Sequence, residues 1–327
     1  MMSGMNRTVC AVAVGALAAC GGGGDAADEV AVSPGGAGSG QATALETARG
    51  SGPLLATWFD CLRENDAITI AAHRGGPVPG YPENAIETME YNLDQGLDLF
   101  EVDVAESQDG VLFLMHDRSL GRTTTGDGQL VEKDWAEIRG LNLVDNDGVV
   151  TEYSPPRLGD ALLWAKEMNA VLELDRKSST SFRNIIAAVR AAEAEDHVVL
   201  ISYNTDQAAL IAELAPDLVM TATANSREDL DALDRAGVNL DNLVAWTGTR
   251  TPKPSTWAEL RAAGVEPAFG TLGRPGERLD DIYAADGDLS EFAELADGGL
   301  VLLSSDISLD VAATLTADDI GRTACPR

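Results

Sequence analysis

Positive charge is scarce in this sequence. It has 23 lysines and arginines against 53 aspartates and glutamates, which makes a formal net charge of −30 at pH 7. Nucleic acids and anionic membrane faces repel such a chain, so we expect no nucleic-acid partner. An anionic substrate would need local positive charge from an arginine, a lysine or a metal ion.

The chain also lacks an N-terminal apolar run long enough to span a bilayer. Val9 to Leu17 is too short for that, and the preceding Arg7 makes the segment typical of a secretory signal. The ending Leu17-Ala18-Ala19-Cys20 resembles a bacterial lipobox. It implies a signal peptide over 1–19 and a lipid on Cys20, although ordinary cleavage near Ala18 and Ala19 is an alternative.

Residues 20–52 are rich in glycine and poor in large apolar side chains, which predicts a flexible tether. We therefore expect an exported lipoprotein of the cell envelope, on its periplasmic or extracellular face. Its lipid anchor would attach it to a membrane.

Cysteine is scarce, with four in the chain. Cys10 would leave with the signal peptide and Cys20 would carry the lipid. Cys61 and Cys325 remain, near the two ends of the folded part, in a setting that favours oxidation. We predict a disulfide between them, with two separate buried thiols as the alternative.

Short apolar runs alternate with amphipathic segments from about residue 67 onward. Eight β-then-α units predict an α/β fold of the (β/α)8 TIM barrel type within residues 53–327. The rival is a doubly wound open sheet, but no GxGxxG turn follows the first strand. The predicted strands are 68–73, 98–104, 171–175, 197–202, 217–222, 242–246, 264–269 and 299–304. The predicted helices are 83–95, 157–168, 181–193, 206–214, 225–236, 255–263, 288–295 and 308–316.

A long segment, 106–156, separates the second strand from its helix. It begins with Asp109-Gly110, a strong signal for a two-residue hairpin turn. If these are the central turn residues, Asp103 faces His116 across the hairpin. The remainder predicts a small capping insertion over the mouth of the barrel.

Pairs of carboxylates recur on two predicted strands. Glu101 and Asp103 are two residues apart, so they share one face of a strand, and Glu173 and Asp175 repeat the pattern. Unpaired burial of such groups is costly, and a hard cation such as Ca²⁺ or Mg²⁺ would relieve it. Zinc is less expected, because no nearby histidines and cysteines have the spacing usual for zinc ligands. A shared proton, or an internal salt bridge with Arg74 or Lys177, is the alternative.

Histidine occurs only three times. His73 follows the apolar residues of the stretch "ITIAAHRGG". The predicted hairpin brings His116 close to the carboxylates. Two histidines beside a bound anion can act as general base and general acid. Arg74 can bind phosphate oxygens through its guanidinium fork. His197 is placed at the opposite end of the barrel and is expected to be structural.

The residues of 71–128 resemble one known family. HRG, PEN, E-x-D-V, a DG turn, HD and R-T-T-x-G occur in this order, as in the glycerophosphodiester phosphodiesterase family. The resemblance continues more loosely to about residue 320. It implies a barrel of the phosphatidylinositol-phospholipase-C-like type that hydrolyses glycerophosphodiesters to an alcohol and sn-glycerol 3-phosphate.

The resemblance also implies roles for single residues. Attack by the substrate's own 2-hydroxyl would give a cyclic phosphate that water then opens. The implied set is His73 and His116 as the acid–base pair, Glu101, Asp103 and Glu173 as metal ligands, Arg74 as a phosphate ligand, and Glu83 and Asn84 in supporting positions.

Two departures from the family pattern concern the substrate pocket. The family has E-x-K where this chain has Glu173-Leu174-Asp175, followed by Lys177. Either Lys177 replaces the missing lysine at the phosphate, or Asp175 adds a metal ligand. Where the family often has tryptophan on the seventh strand, this chain has Phe269-Gly270-Thr271, so the aromatic wall would be rearranged.

Two other functions remain open from the sequence. The first is a lipid phosphodiesterase on the same barrel, of the lysophospholipase D or sphingomyelinase D type, which an apolar rim around 140–156 would favour. The second is a catalytically inactive, lipid-anchored binding protein.

Overall fold

A computed structural model describes residues 54–327 of the protein. The predicted signal peptide, Cys20 and the whole predicted tether over 20–52 lie outside the described residues, so they stay predictions. No helix in the described part is long and apolar enough to cross a membrane.

Eight parallel strands close into a barrel, which confirms the predicted fold. In barrel order β1 is followed by β9, β8, β7, β6, β5, β4 and β2, and pairing between β2 and β1 closes the ring. The short β3 pairs antiparallel with the end of β2. The strands are β1 (Thr69–Ala72), β2 (Leu99–Glu106), β3 (Leu112–Leu114), β4 (Val171–Arg176), β5 (Val198–Ile201), β6 (Val219–Thr223), β7 (Leu243–Trp246), β8 (Glu266–Gly270) and β9 (Leu302–Ser305).

Helices connect the strands around the outside of the barrel. Each of the eight predicted helices is present with slightly different ends, and α1, α3, α9 and α12 are additional. The helices are α1 (Leu54–Glu64), α2 (Ile86–Asp94), α3 (Trp135–Ile138), α4 (Leu158–Met168), α5 (Phe182–Ala192), α6 (Thr205–Leu214), α7 (Arg227–Arg235), α8 (Pro254–Ala262), α9 (Leu279–Tyr283), α10 (Ser290–Asp297), α11 (Ser308–Thr314) and α12 (Gly321–Ala324).

An apolar layer fills the amino-terminal end of the barrel. Each barrel strand supplies one buried residue to it, and Trp58 and Phe59 of α1 pack against the same layer. Because side chains alternate along a strand, the next inward positions on β2 and β4 are polar and lie towards the mouth. The layer consists of Ala71, Leu99, Val171, Val199, Val219, Val244, Ala268 and Leu302.

A disulfide joins the first and last described helices. Cys61 of α1 bonds Cys325, which directly follows α12, as the sequence predicted. The Trp58 indole N–H donates to the carbonyl of Cys325 at 2.8 Å, so the same junction is also held by a buried hydrogen bond.

The hairpin after β2 differs from the prediction by one residue. Val104 pairs with Leu114, and the Met115 N–H donates to the Asp103 carbonyl at 2.9 Å, so Asp103 faces Met115 and not His116. The Ser107 N–H donates to the Val111 carbonyl, which leaves a three-residue loop where two residues were expected. One extra loop residue shifts the register by one. His116 still reaches the barrel mouth because it lies beyond the end of β3.

Candidate active site

A cavity of about 350 Å³ opens where the barrel strands end. Most of the sequence-predicted site residues share it, although they come from separate parts of the chain. They are His73, Glu101, Asp103, His116, Glu173, Asp175 and Lys177. Arg74 and Glu83 instead line a neighbouring cavity of about 480 Å³, which shares His73 with the first.

His73 is oriented by a carboxylate from the adjacent strand. In the β1–β9 register Ala72 pairs with Ser305, which brings the following residues, His73 and Asp306, side by side. His73 Nδ1 lies 2.6 Å from Asp306 Oδ1, and Nε2 lies 3.9 Å from Glu101 Oε2. This arrangement leaves Nε2 for the cavity.

Asp306 is itself held in the ionised form. Arg278 Nη1 lies 2.6 Å from Asp306 Oδ2. Burial alone would raise the pKa of Asp306, but His73 and Arg278 lower it to about 2. Asp306 is not predictable as the partner of His73 from strand periodicity alone, because it requires the register between β1 and β9.

His116 has a carboxylate partner of its own. Its Nδ1 lies 2.7 Å from Asp117 Oδ1, and Arg122 donates to both oxygens of Asp117, at 2.9 and 2.6 Å. The bonds from Arg122, followed by that from His116, hold the pKa of Asp117 well below its usual range. His116 therefore also keeps Nε2 free.

Glu83 connects the surroundings of the two histidines. Its side chain is buried and accepts two hydrogen bonds from Arg122, both at 2.8 Å, and one from Arg74 at 3.0 Å. The PEN and R-T-T-x-G motifs thus meet through Glu83 and Arg122. Glu83 has the supporting position that the sequence predicts, whereas the contact of Arg122 with Glu83 is not predicted by the sequence.

Asn84 binds Asp103 and does not cap the following helix. Its Nδ2 donates to Asp103 Oδ2 at 2.7 Å, and its Oδ1 accepts from the Asp103 N–H at 2.8 Å. Asn84 and Arg74 both have left-handed backbones, with φ of 59° and 55°. The Arg74 N–H donates to Glu101 Oε2 at 2.8 Å, so each of these two left-handed residues contacts one carboxylate of β2.

Four carboxylates face each other on β2 and β4. Glu101 pairs across the strands with Glu173, and Asp103 with Asp175. Burial, followed by the charges of Asp103 and Asp175, raises the pKa of Glu101 well above its usual range. Burial and the charge of Asp175 raise the pKa of Glu173 to about 8. Negative charge at this position therefore needs a cation.

Lys177 supplies part of that positive charge. Its Nζ forms an ion pair with Asp103 Oδ1 and lies 2.6 Å from Asp175 Oδ2. Burial alone would raise the pKa of Asp103, but the charge of Lys177 brings it below the usual value. The internal salt bridge considered from the sequence is thus present.

The donor set fits a divalent cation. Oxygens of Glu101, Asp103 and Asp175 lie within 4.8 Å of one another, which is about twice a typical Ca²⁺–oxygen distance. Asp175 Oδ1 is buried and has no hydrogen-bond partner among the described residues. Glu173 lies outside this group, although it lines the same cavity.

The aromatic side chains that line the cavity are Trp246 on β7 and Tyr203, which follows β5. A Cβ atom on Gly270 of β8 would lie 2.8 Å from Trp246 Cη2, so the glycine leaves room for the indole. Phe269 belongs to the outer core and packs 5.8 Å from Trp257, measured between ring centroids. The seventh strand predicted from the sequence is β8 in the structure, because β3 is additional. Trp246 therefore lies one strand before the position where the family often has tryptophan, a position that the sequence did not predict.

His197 lies away from the cavity. It precedes β5 in a short turn, and its Nδ1 lies 2.9 Å from the carbonyl of Ala170. Burial lowers its pKa. These contacts agree with a structural role.

Sequence comparison identifies one family model, that of the glycerophosphoryl diester phosphodiesterase family, which matches residues 73–247. The uncharacterized protein YqiK of Bacillus subtilis is 31% identical over 155 residues, 46% of this chain and 63% of that protein. Human glycerophosphodiester phosphodiesterase 1 is 25% identical over 199 residues, 60% of this chain and 56% of that protein. The chain thus matches less than two thirds of the length of either relative.

Solved structures share the barrel. A glycerophosphoryl diester phosphodiesterase from Parabacteroides distasonis is 26% identical, with a TM-score of 0.67 over 78% of this chain and 90% of that one. An Oleispira antarctica phosphodiesterase, solved in complex with its product sn-glycerol-3-phosphate, is 20% identical, with a TM-score of 0.58 over 77% of this chain and 98% of that one.

Proposed function

This chain belongs to the glycerophosphoryl diester phosphodiesterase family, and on that premise we propose that it hydrolyses glycerophosphodiesters. The products would be an alcohol and sn-glycerol 3-phosphate. One observation carries the proposal: His73, His116 and a group of buried carboxylates line a single cavity at the mouth of the barrel.

The two histidines would divide the proton transfers. One accepts the proton of the substrate's 2-hydroxyl as that oxygen attacks phosphorus, and the other donates a proton to the departing alcohol as its P–O bond breaks. Water then opens the cyclic phosphate, with the two roles exchanged. Intramolecular attack has a large effective-molarity advantage. Asp306 and Asp117 support this scheme because each holds Nδ1 of one histidine.

The carboxylates of β2 and β4 would hold one divalent cation, Ca²⁺ or Mg²⁺. When bound, the ion would offset negative charge on the phosphodiester. Glu101, Asp103 and Asp175 offer the closest group of oxygens, with Glu173 deeper in the barrel. Arg74 is the candidate phosphate ligand on the side of the neighbouring cavity.

Release of glycerol 3-phosphate from glycerophosphocholine tests the proposal. We expect EDTA to abolish release and Ca²⁺ or Mg²⁺ to restore it, because the buried carboxylates then regain their counter-ion. His116→Ala should lower kcat by at least about 100-fold, since general acid–base catalysis contributes on that scale.

His197→Ala is the matched control, because this histidine contacts the Ala170 carbonyl outside the cavity. Its kcat should stay within about threefold of wild type. Activity that survives both EDTA and His116→Ala would rule out the metal and histidine mechanism. Absence of hydrolysis of every phosphodiester tried would favour the inactive binding protein.

A lipid phosphodiesterase is a second candidate, because apolar side chains on the insertion could contact a lipid chain, although the acidic residues Asp145, Asp147 and Glu152 of the same insertion suit water-soluble substrates better. Val131, Val149 and Val150 are 52%, 57% and 56% exposed. Val131 also lines a cavity next to His116. If lysophospholipids are the substrates, Val149→Ser with Val150→Ser should lower their hydrolysis and leave that of glycerophosphocholine unchanged.

We also propose that the protein is an envelope lipoprotein anchored through Cys20. The lipobox-like ending at Cys20 supports this, as does a disulfide typical of oxidising compartments. Cys20→Ser should move the protein from the membrane fraction to the soluble fraction of cells. Equal membrane association of the variant and the wild type would contradict the anchor.

A further inference from the structure

Lys177 contacts carboxylates that could also bind a divalent cation. Its ammonium contacts Asp103 and Asp175, two of the three residues whose carboxylate oxygens lie within 4.8 Å of one another. A divalent cation on this cluster would draw on the same oxygens. The ammonium and the ion therefore compete for one set of ligands.

Asp175 is better placed than Glu173 to complete this set. Both point inward from β4, but Asp175 lies beside Asp103 near the mouth, whereas Glu173 lies beside Glu101 one pleat deeper. Asp175 Oδ1 is buried without a hydrogen-bond partner in the described part of the chain, although the Tyr203 hydroxyl approaches the same carboxylate. A buried oxygen without a donor is costly, and a cation would satisfy it.

Lys177 has space to leave the cluster. Its backbone N–H donates to the Val104 carbonyl at 2.9 Å, so its main chain is held in place. The side chain lines the main cavity and also an adjacent cavity of about 280 Å³ that it shares with His116. Its flexible four-carbon stem can carry the ammonium from one to the other.

We propose that Glu101, Asp103 and Asp175 hold the cation, and that Lys177 is a tethered counter-ion that occupies these carboxylates until the cation displaces it. The inference rests on the proposed metal-dependent phosphodiesterase and adds a form of control to it. Cation binding releases the ammonium beside His116, where a phosphate oxygen can accept its hydrogen bond. Loading of the metal and exposure of a phosphate-binding group are then one event.

Calorimetric titration of the EDTA-treated, dialysed protein with Ca²⁺ tests the competition. We expect Lys177→Met to bind Ca²⁺ about tenfold more tightly than wild type, because no ammonium has to be displaced and the binding-competent fraction rises. Lys166→Met is the matched control, since Lys166 pairs with the exposed Glu193. An affinity of Lys177→Met equal to or below that of wild type would overturn the counter-ion role.

The same titration tests the ligand assignment. Asp175→Asn should weaken Ca²⁺ binding by at least about tenfold, and Glu173→Gln by less than about threefold, because only Asp175 joins the close group of oxygens. The reverse order of the two losses would overturn the assignment.

Thermal melting covers the case in which Lys177→Met folds poorly without metal. The variant is purified in Ca²⁺, and Tm is compared with and without EDTA. Loss of the ammonium leaves Asp103 with only the more distant Arg74 guanidinium, whose Nε lies 3.9 Å from Asp103 Oδ2. Negative charge in the cluster is then less well balanced, so Ca²⁺ should raise Tm more in Lys177→Met than in wild type. An equal rise in both proteins would count against the proposal.

Failure of this inference can be told apart from failure of the proposed function. Wild-type hydrolysis that requires metal, together with equal Ca²⁺ affinities of wild type and Lys177→Met, would overturn the counter-ion alone. Tighter Ca²⁺ binding by Lys177→Met, without glycerophosphodiester hydrolysis by wild type, would overturn the function and retain the counter-ion.

Discussion

At the scale of single residues, Asp306 determines which nitrogen of His73 faces the cavity. Asp306→Asn keeps the shape but removes the charge that accepts Nδ1–H, so the imidazole loses its preferred tautomer. We expect kcat to fall by about 100-fold or more with little change in KM. Steady-state kinetics on glycerophosphocholine measure this.

The control for Asp306→Asn is Asp281→Asn. Asp281 also binds Arg278, with Arg278 Nε at 2.9 Å from its Oδ1, but its other oxygen accepts from the Gly276 N–H and not from His73. Its kcat should fall by less than about threefold. Equal losses in the two variants would mean that Asp306 acts by holding Arg278 and not by orienting His73.

Glu266 gives a second prediction at this scale, for the dependence of stability on pH. It is buried at the start of β8, and Arg63 Nε donates to its Oε1 at 2.7 Å. Burial outweighs this ion pair and raises the pKa of Glu266 to about 7. At pH values between the unfolded pKa near 4.5 and this value, Glu266 is mostly protonated in the native state and mostly ionised in the unfolded state. The free energy of unfolding therefore falls as pH rises through this range.

Glu266→Gln removes this contribution because glutamine does not titrate. From pH 4.5 to 8, the free energy of unfolding should fall by about 1–3 kcal/mol more in wild type than in the variant, measured by urea denaturation. Glu64→Gln, a change at an exposed neighbour of Arg63, should keep the wild-type slope. Parallel curves for wild type and Glu266→Gln would refute the prediction.

The sequence predicted most of the residues that line the candidate cavity but few of their hydrogen-bond partners. His73, His116 and the four carboxylates were predictable because they follow or interrupt apolar strands that meet at one end of a barrel. Asp306 and Arg122 act through contacts between distant segments, and Asp117 acts through its sequence neighbour His116. Strand periodicity describes none of these contacts. The contact of Asp306 with His73 follows from the β1–β9 register, which is known only once the strands are arranged in the closed barrel.

At the scale of elements, the HRG turn depends on a glycine. Gly76 has a φ of 76°, and a Cβ there would lie 2.7 Å from Asn92 Nδ2. That amide donates to the carbonyls of Gly75 and Gly76, at 2.8 and 2.7 Å. A side chain at Gly76 would therefore disturb the buried bonds that hold the turn after β1.

Gly76→Ala should lower the free energy of unfolding by about 2–3 kcal/mol, because backbone strain adds to a displaced hydrogen bond. Gly80→Ala is a matched control, with a φ of 84° but no atom within 4 Å of the new Cβ. It should cost about 1 kcal/mol. Urea denaturation of the two variants compares them, and equal losses would argue against crowding at Asn92.

The hairpin shows where prediction of elements fails. Apolar runs located β2 and β3, but Asp109-Gly110 did not reveal whether the turn had two or three residues. Ser107 decides it, because its hydroxyl accepts from the Val111 N–H at 3.0 Å and donates to Asp109 Oδ1 at 2.6 Å. Side-chain capping of this kind competes with the simplest turn.

At the scale of the whole molecule, the Cys61–Cys325 disulfide restrains the unfolded chain. The two cysteines are 264 residues apart, so the bond removes much of the freedom of the unfolded state. Cys61→Ser with Cys325→Ser should lower the free energy of unfolding by about 2–4 kcal/mol. Thermal or urea denaturation measures the loss.

Reduction provides the control for this variant. Dithiothreitol should destabilise wild type by a similar amount and leave the double variant unchanged, since the variant has no such bond to lose. If the reductant left the stability of wild type unaltered, the disulfide would have no part in holding the fold.

The same bond makes the segment from Cys61 to Cys325 a covalent ring that contains all nine strands and both candidate catalytic histidines. A protease that cuts one surface loop of this ring cannot separate the fragments. The nicked protein would migrate as one band in non-reducing gel electrophoresis and as two after reduction. A single cut in the loops around the barrel mouth would thus leave every catalytic group tethered to the same molecule.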